Sequence, residues 1–307
     1  MEKINNLKRL FDKAEIDGYI IPKNDQFFGE YVSDFNDRLN YISNFSGSFG
    51  FALILKNQRY LFVDGRYSLQ AQRESGRYFK IITIPKKMPK NILKNKKLVI
   101  GFDPRIITRQ GLNTFFKTNN CKFKQLEHNL VDQIWKRKVK HHKKKFYLLP
   151  NHSIDNNYKI KVSKLVNTIK TKKADYLFIT ASENNAWLLN IRGSDTIYSP
   201  IPYSYILLDR NKNIKFFCDL NKVPSTFKKK FENTKFLEIN RAGEILSSIN
   251  NKKFILDKNT CSFHFENIIL KNNYILDLDD PIYNLKAIKS EREIKNIKDA
   301  HIYDGIA

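Results

Sequence analysis

Residues that do chemistry in clusters are scarce in this sequence. Its three cysteines, Cys121, Cys218 and Cys261, lie far apart and form no CxxC pair. That spacing predicts free, mostly buried thiols in a reducing compartment, with the cytoplasm as the default location. No apolar run approaches a membrane span; the longest, such as residues 51–55, stop far short. The N-terminal stretch MEKINNLKRLFDKAEID mixes acids with lysines and lacks the apolar core of a secretory signal. No G-x-G-x-x-G follows a strand-like run, so a dinucleotide-binding enzyme has no anchor.

What is present describes a folded protein. The 307 residues are 41% hydrophobic and 13% aromatic, enough for two ordinary domains with real cores. The formal net charge of +24 raises nucleic acid as a partner. Lysine, asparagine and isoleucine are abundant together along the whole chain, however, which resembles a bias of coding-base composition rather than a set of phosphate contacts. Only residues 136–145, KRKVKHHKKK, concentrate the charge, without interleaved aromatics, and such a block reads as a solvated linker. His141 and His142 within it point about 100° apart on a helix and to opposite faces of a strand, so they converge poorly on one metal ion.

Periodicity gives an α/β order. Ile4, Leu7, Leu10, Phe11 and Ala14 recur at helical spacing, and residues 18–22 form a short apolar strand ending in proline. Residues 44–50, NFSGSFG, carry paired glycines expected to turn the chain tightly before a hairpin of residues 51–55 and 60–63. Asp64-Gly65-Arg66-Tyr67 then opens a helix, with Asp64 as a capping acid and Gly65 permitting the abrupt change of direction. Arg66 at that corner either points into a cleft or pairs with a nearby acid. A strand at 98–102, a helix at 112–117 and the segment 126–135 complete a first unit with a mixed sheet. The second unit repeats this logic: a helical stripe from Tyr158 to Ile169, a strand at 174–180, a hairpin of 203–208 and 214–218, and strands at 254–256 and 275–278. The shared pattern predicts an internal duplication. Ser290 and Glu293 then form an S-x-x-E capping box that starts a helix running to residue 307, with Ile294, Ile297 and His301 along one face.

Residues 186–195, AWLLNIRGSD, read as a buried helix end and a sharp corner. Trp187, Leu188 and Leu189 supply apolar bulk, and Asn190 and Gly193 are expected to take the positive φ values that stop a helix. Arg192 and Asp195 are expected to pair across the corner. The bland role, a well-packed helix end, is favoured over an active site, since no nucleophile, metal-ligand cluster or phosphate loop stands here.

Taken together, these stretches resemble the Xaa-Pro aminopeptidase (aminopeptidase P) family of pita-bread metallopeptidases. The resemblance is carried by Asp37-Arg38-Leu39 through Phe45-Ser46-Gly47-Ser48, by Val63-Asp64-Gly65-Arg66-Tyr67 with Gln70-Ala71, by Asn129-Leu130-Val131-Asp132 with Trp135, and by residues 186–195. Lys286-Ala287-Ile288-Lys289 and residues 300–305 resemble the family's approach to its catalytic domain. The resemblance implies two creatinase N-terminal-like domains, each a mixed sheet flanked by helices, followed by the first helix of a pita-bread domain. The boundaries it implies are 1–137 for domain I, 138–155 for a basic linker, 156–285 for domain II and 286–307 for that helix.

The same resemblance implies a reaction, release of the N-terminal residue before proline. In the full-length family, manganese or another divalent metal pair bound by two Asp, one His and two Glu supports it; none of these ligands is expected in this chain, and His301 reads as structural. The chain is therefore expected to be a non-catalytic N-terminal half, inactive alone, or the substrate-gating subunit of a split enzyme. A basic nucleic-acid-binding protein is the remaining, disfavoured alternative. A separately encoded catalytic domain is the expected partner, with peptide substrate bound only in such a complex and no membrane. Arg66 and Tyr67 are the N-terminal candidates for reaching a substrate carboxylate. Asp64, Gly65, Trp187, Asn190, Arg192, Gly193 and Asp195 are expected to be structural corner residues.

Overall fold

The computed structural model describes residues 1–137, 144–154 and 157–306. Most of the lysine block, with His141 and His142 and part of the expected 138–155 linker, lies outside the described residues. Contacts divide the chain into two compact units, Met1–His141 with Ser262–His264, and His142–Cys261 with Phe265–Ala307.

The first unit is built on β1 (Gly18–Pro22), β2 (Phe51–Leu55), β3 (Arg59–Val63), β4 (Lys80–Thr83), β5 (Val99–Phe102) and β6 (Lys122–Gln125). Their spatial order is β4-β3-β2-β1-β5-β6. The central run β1-β2-β3 is antiparallel, and β4, β5 and β6 join in parallel pairs. β1 and β2 are buried at every position because both faces of the sheet are covered. One cluster gathers Leu7 and Phe11 of the helix Glu2–Lys13 with Tyr19, Ile21 and Val131. The other gathers Ile20, Leu53 and Phe62 with Leu112 and Phe116.

The second unit contains β7 (Tyr147–Leu148), β8 (Tyr176–Ile179), β9 (Ile191–Arg192), β10 (Tyr205–Asp209), β11 (Ile214–Cys218), β12 (Thr234–Glu238), β13 (Lys253–Leu256) and β14 (Tyr274–Asp277). Its main sheet runs β12-β11-β10-β8-β13-β14, and β7 pairs with β9 apart from it. β8, β10 and β11 are antiparallel, and β12, β13 and β14 join in parallel. Strand for strand this is the arrangement of the first sheet, so the expected duplication is present in topology and pairing sense. The helix Tyr158–Thr171 buries Val162, Leu165, Val166 and Ile169, the stripe visible in the sequence.

The fold is α/β, two mixed sheets flanked by helices. Three edge or near-edge strands, β4, β6 and β12, were not visible in the hydrophobic pattern. Their residues are mostly exposed or half-buried, and the apolar residues they hold (Ile81-Ile82 in β4, Phe123 in β6, Phe236-Leu237 in β12) make runs too short to mark a strand. The capping box forms as read: Ser290 N donates to Glu293 Oε2 at 2.9 Å, and Glu293 N to Ser290 Oγ at 3.2 Å. The helix Glu291–Ile306 that it starts has no buried residue, and Ile294 and Ile297 are 44% and 43% exposed.

Candidate functional site

The stretch 186–195 sits where the helix Ser182–Leu189 ends. Asn190 caps it in the left-handed region at φ 56°, as expected. Its side chain is held as well: Lys161 Nζ donates to Asn190 Oδ1 at 2.6 Å and to the Trp187 carbonyl at 2.8 Å. The same ammonium lies 4.0 Å from the Trp187 ring centroid. Burial pushes the Lys161 ammonium down to about 8, against a raising influence of Glu293 and a lowering one of Arg192. A lysine placed this way closes the helix end with a charge that suits its carbonyls.

The expected Arg192–Asp195 pair does not form. Arg192 Nη1 instead donates to the carbonyls of Ala186 and Ile191, at 2.9 and 3.0 Å, and so stitches helix to strand. Asp195 Oδ1 pairs with Lys222 Nζ at 2.5 Å, and its Oδ2 accepts from Tyr203 N at 2.8 Å. The side chains of Asp195 and Lys222 are only 4% and 14% exposed. The partner comes from 27 residues away, a distance that no local pattern reveals.

Gly193 is also needed for a different reason from the one expected. No glycine has a positive φ among the described residues. A Cβ at Gly193 would lie 2.8 Å from Pro202 Cα and 3.0 Å from Pro202 Cβ, so glycine here permits two backbones to touch. Gly47 and Gly50 likewise serve close approach, to Phe45 and to the Phe62 carbonyl, rather than a left-handed turn.

At the second corner, Asp64 caps as read, accepting from Arg66 N at 2.9 Å. Gly65 has nothing within 4 Å of its would-be Cβ and no positive φ, so the change of direction does not depend on it. The Arg66 side chain, 74% exposed, pairs with Asp64 at 2.7 Å. That hydrogen bond holds the Asp64 carboxyl below its ordinary range. Tyr67 turns inward: its hydroxyl shares a hydrogen bond with Ser48 Oγ at 2.7 Å, and its ring meets Phe45 edge-on. Glu74 accepts from Ser46 N and Oγ and from Gln70. The NFSGS and DGRY-QA stretches are thus bound to each other.

A third constellation joins two more of the motif stretches. Arg38 forks onto Asp132 through Nε and Nη2, both at 2.8 Å, and Arg137 reaches the same carboxylate. Asn129 caps the helix Leu130–Ile134 while its Nδ2 donates to Asp103 at 3.0 Å, and Arg105 holds Asp103 from the other side at 2.9 Å. The second unit repeats this construction. Asp280 caps the helix Pro281–Ala287, its N donates to Asp257 at 3.1 Å, and Asn184 Nδ2 donates to Asp280 Oδ2 at 2.7 Å. Burial pushes the Asp280 carboxyl up to about 6, over the opposing hydrogen bonds of Ile282 N and Asn184. Asp103, Asp257 and Asp280 escaped the sequence reading because an acid after a strand carries no signal of its partner.

No group of three or more His, Cys, Asp or Glu among the described residues is placed to hold a metal ion. No helix among them is long and apolar enough to cross a membrane.

Two family models, both described as the creatinase/prolidase N-terminal domain, match residues 3–134 and 137–293. Over 326 residues the chain is 28% identical to a probable Xaa-Pro aminopeptidase P of Laccaria bicolor, covering 100% of this chain and 50% of that protein. It is 28% identical to Xaa-Pro aminopeptidase 1 of Dictyostelium discoideum, covering 52% of it. The crystal structure of X-prolyl aminopeptidase from Caenorhabditis elegans, described as a cytosolic enzyme with a di-nuclear active site, superposes with a TM-score of 0.88. It covers 98% of this chain and 53% of that one, at 24% identity, and shares the fold. The chain spans about half the length of the curated relatives it matches. It belongs to the creatinase/prolidase N-terminal domain family and carries two such domains, the N-terminal half of an aminopeptidase P-like protein.

Proposed function

We propose that these two domains are the non-catalytic scaffold of a cytoplasmic, metal-dependent Xaa-Pro aminopeptidase, and that they gate peptide access to a pita-bread catalytic domain. The carrying observation is the match along the whole chain to proteins named Xaa-Pro aminopeptidase, over about half their length. A divalent metal pair supplies an activated water and a polarised carbonyl in such chemistry. The described residues do not fit that pair, so no step of the reaction is assigned to them. Their part is positional. The three motif constellations are internal locks, each joining segments distant in sequence, as a rigid frame for a neighbouring site requires.

Arg66 is the residue we assign to contact beyond the frame. Asp64 holds the Nε–Nη2 edge of its guanidinium while the side chain stays 74% exposed, so a fixed positive charge is presented outward; the guanidinium lies 5.3 Å from the Tyr67 ring centroid. The test uses a fluorogenic Xaa-Pro substrate with manganese, on this chain alone and mixed with a separately produced pita-bread domain. No turnover alone and restored turnover on mixing are expected, with Arg66→Gln raising KM in the mixture. Metal-dependent turnover by the chain alone would overturn the scaffold reading.

A further inference from the structure

The positive charge of the chain is not spread evenly. Residues 76–126 hold 13 Lys and Arg and a single acid, Asp103, a net +12. That is half of the formal +24 in a sixth of the length. A bias of base composition raises lysine everywhere but does not strip acids from one segment. The lone acid is 3% exposed and held by Arg105, so it presents no negative charge to solvent.

Strand pairing gathers these cations. β1, β3, β4, β5 and β6 run in one direction, because only β2 is antiparallel to its neighbours β1 and β3. Their amino ends therefore share one end of the sheet. Lys80 opens β4 at one edge and Lys122 opens β6 at the other. Lys96 and Lys97 precede β5, and Lys96 Nζ donates to Gln58 Oε1, in the turn between β2 and β3, at 3.5 Å. The Cys121 thiol donates to the Lys96 carbonyl at 3.2 Å and to the Leu93 carbonyl at 3.6 Å, which brings residues 117–121 beside Lys94. Five steps of about 4.8 Å between six strands make this end about 24 Å long.

Lys80, Lys94, Lys97, Lys117 and Lys122 are exposed, and Lys96 is half-buried. None of the six forms an ion pair with a carboxylate among the described residues. The acids that flank this end are already matched, Asp12 and Asp17 by Lys56 and Glu15 by Lys124. Lys8, which donates to the Lys56 carbonyl, is held below its ordinary range, first by burial and then by the charge of Arg59.

The chemistry of this face narrows its partner. Within residues 76–126 no large apolar or aromatic side chain is exposed. Protein interfaces are depleted in lysine and centred on apolar anchors, and single nucleic-acid strands are held by stacking on aromatic rings. Helices that lie on a membrane set apolar residues into the lipid boundary beside their lysines. A nucleic-acid duplex needs none of these. Its bases are hidden, and the phosphates it turns outward can be met by separate point charges.

We infer that this end of the first sheet binds the phosphate backbone of a nucleic-acid duplex without regard to sequence, through Lys80, Lys94, Lys96, Lys97, Lys117 and Lys122. The lysine block at 136–145 is not required, and the site stands independently of the aminopeptidase reading.

The test is fluorescence anisotropy of a short labelled duplex, made as RNA and as DNA of one sequence, titrated with the full chain. The free single strand, polyglutamate and phosphatidylserine vesicles run in parallel as competitors. Both duplexes are expected to bind alike, since only phosphates are met, and ahead of every competitor. Six phosphate contacts give a slope of roughly −5 for log affinity against log salt, about a thousandfold loss between about 50 and 200 mM. Lys80→Gln, Lys97→Gln and Lys122→Gln together should flatten the slope to roughly −3. Because these lysines pair with no carboxylate, the triple variant should keep its fold, checked by urea unfolding. Lys136→Gln with Lys144→Gln should leave the slope unchanged. A flat salt response, an unaltered slope in the triple variant, a slope that falls with the 136–145 substitutions instead, or a competitor that outruns the duplexes would each overturn the inference.

Discussion

Replacing Asp195 by alanine should destabilise the second unit well beyond the cost of a surface ion pair. The carboxylate is 4% exposed, and its partner Lys222 is 14% exposed. The substitution leaves that ammonium without its close counter-ion and Tyr203 N without its acceptor. Breaking a buried pair from one side costs about 3–5 kcal/mol. Asp219, 3.9 Å from Lys222 and 38% exposed, offers partial compensation, so the expected loss is about 3 kcal/mol, the lower end of that range. Urea unfolding followed by Trp187 fluorescence measures it, in a Trp135→Phe background so that only the second unit reports. A double-mutant cycle then assigns the partner. Asp195→Ala with Lys222→Met should show coupling of about 1–3 kcal/mol. With Arg192→Met the coupling should be within about 0.5 kcal/mol, because Arg192 serves carbonyls and not this carboxylate. A loss below about 1 kcal/mol, typical of exposed pairs, would refute the reasoning. So would coupling to Arg192 as large as to Lys222.

Gly193→Ala should cost about 1–3 kcal/mol in the same urea experiment, since its methyl group meets Pro202 backbone that cannot rotate away. Gly65→Ala, with open space and no positive φ, should be neutral or stabilise the first unit by up to about 1 kcal/mol, read by urea unfolding followed by Trp135 fluorescence in a Trp187→Phe background. Asp280 should give the second unit an unusual pH response. Its carboxyl is raised to about 6 from an ordinary 3.8, so between these values the folded state binds the proton more readily than the unfolded chain. This group's contribution therefore increases stability as pH falls from above 6 towards 4, and withdraws it as pH rises through 6. Asp280→Asn should remove that part of the slope; an unchanged pH profile would show that the carboxyl is not held as described.

The duplication shows where local pattern suffices. β1 and β2 are legible as continuous apolar runs because both faces of their sheet are covered, and the helix Tyr158–Thr171 because its apolar residues recur at the helical period. The Asp64 and Ser290 caps are legible because donor and acceptor lie within three residues. The strands β4, β6 and β12 are not, since peripheral strands need little apolar surface and their pairing is decided by the neighbour already in place.

The sequence by itself determined the α/β class, the repeat of one unit, the helix stop at Asn190 and the family motifs, each written in contiguous residues. Only the tertiary structure decided what those motifs hold. Arg38 finds Asp132 across 94 residues, Asp195 takes Lys222 rather than its neighbour Arg192, and Gly193 exists for Pro202. Charge pairing and backbone contact depend on distance in space, and within each unit that distance is set by how its own sheet and helices bring chain segments together, which no spacing along the chain encodes.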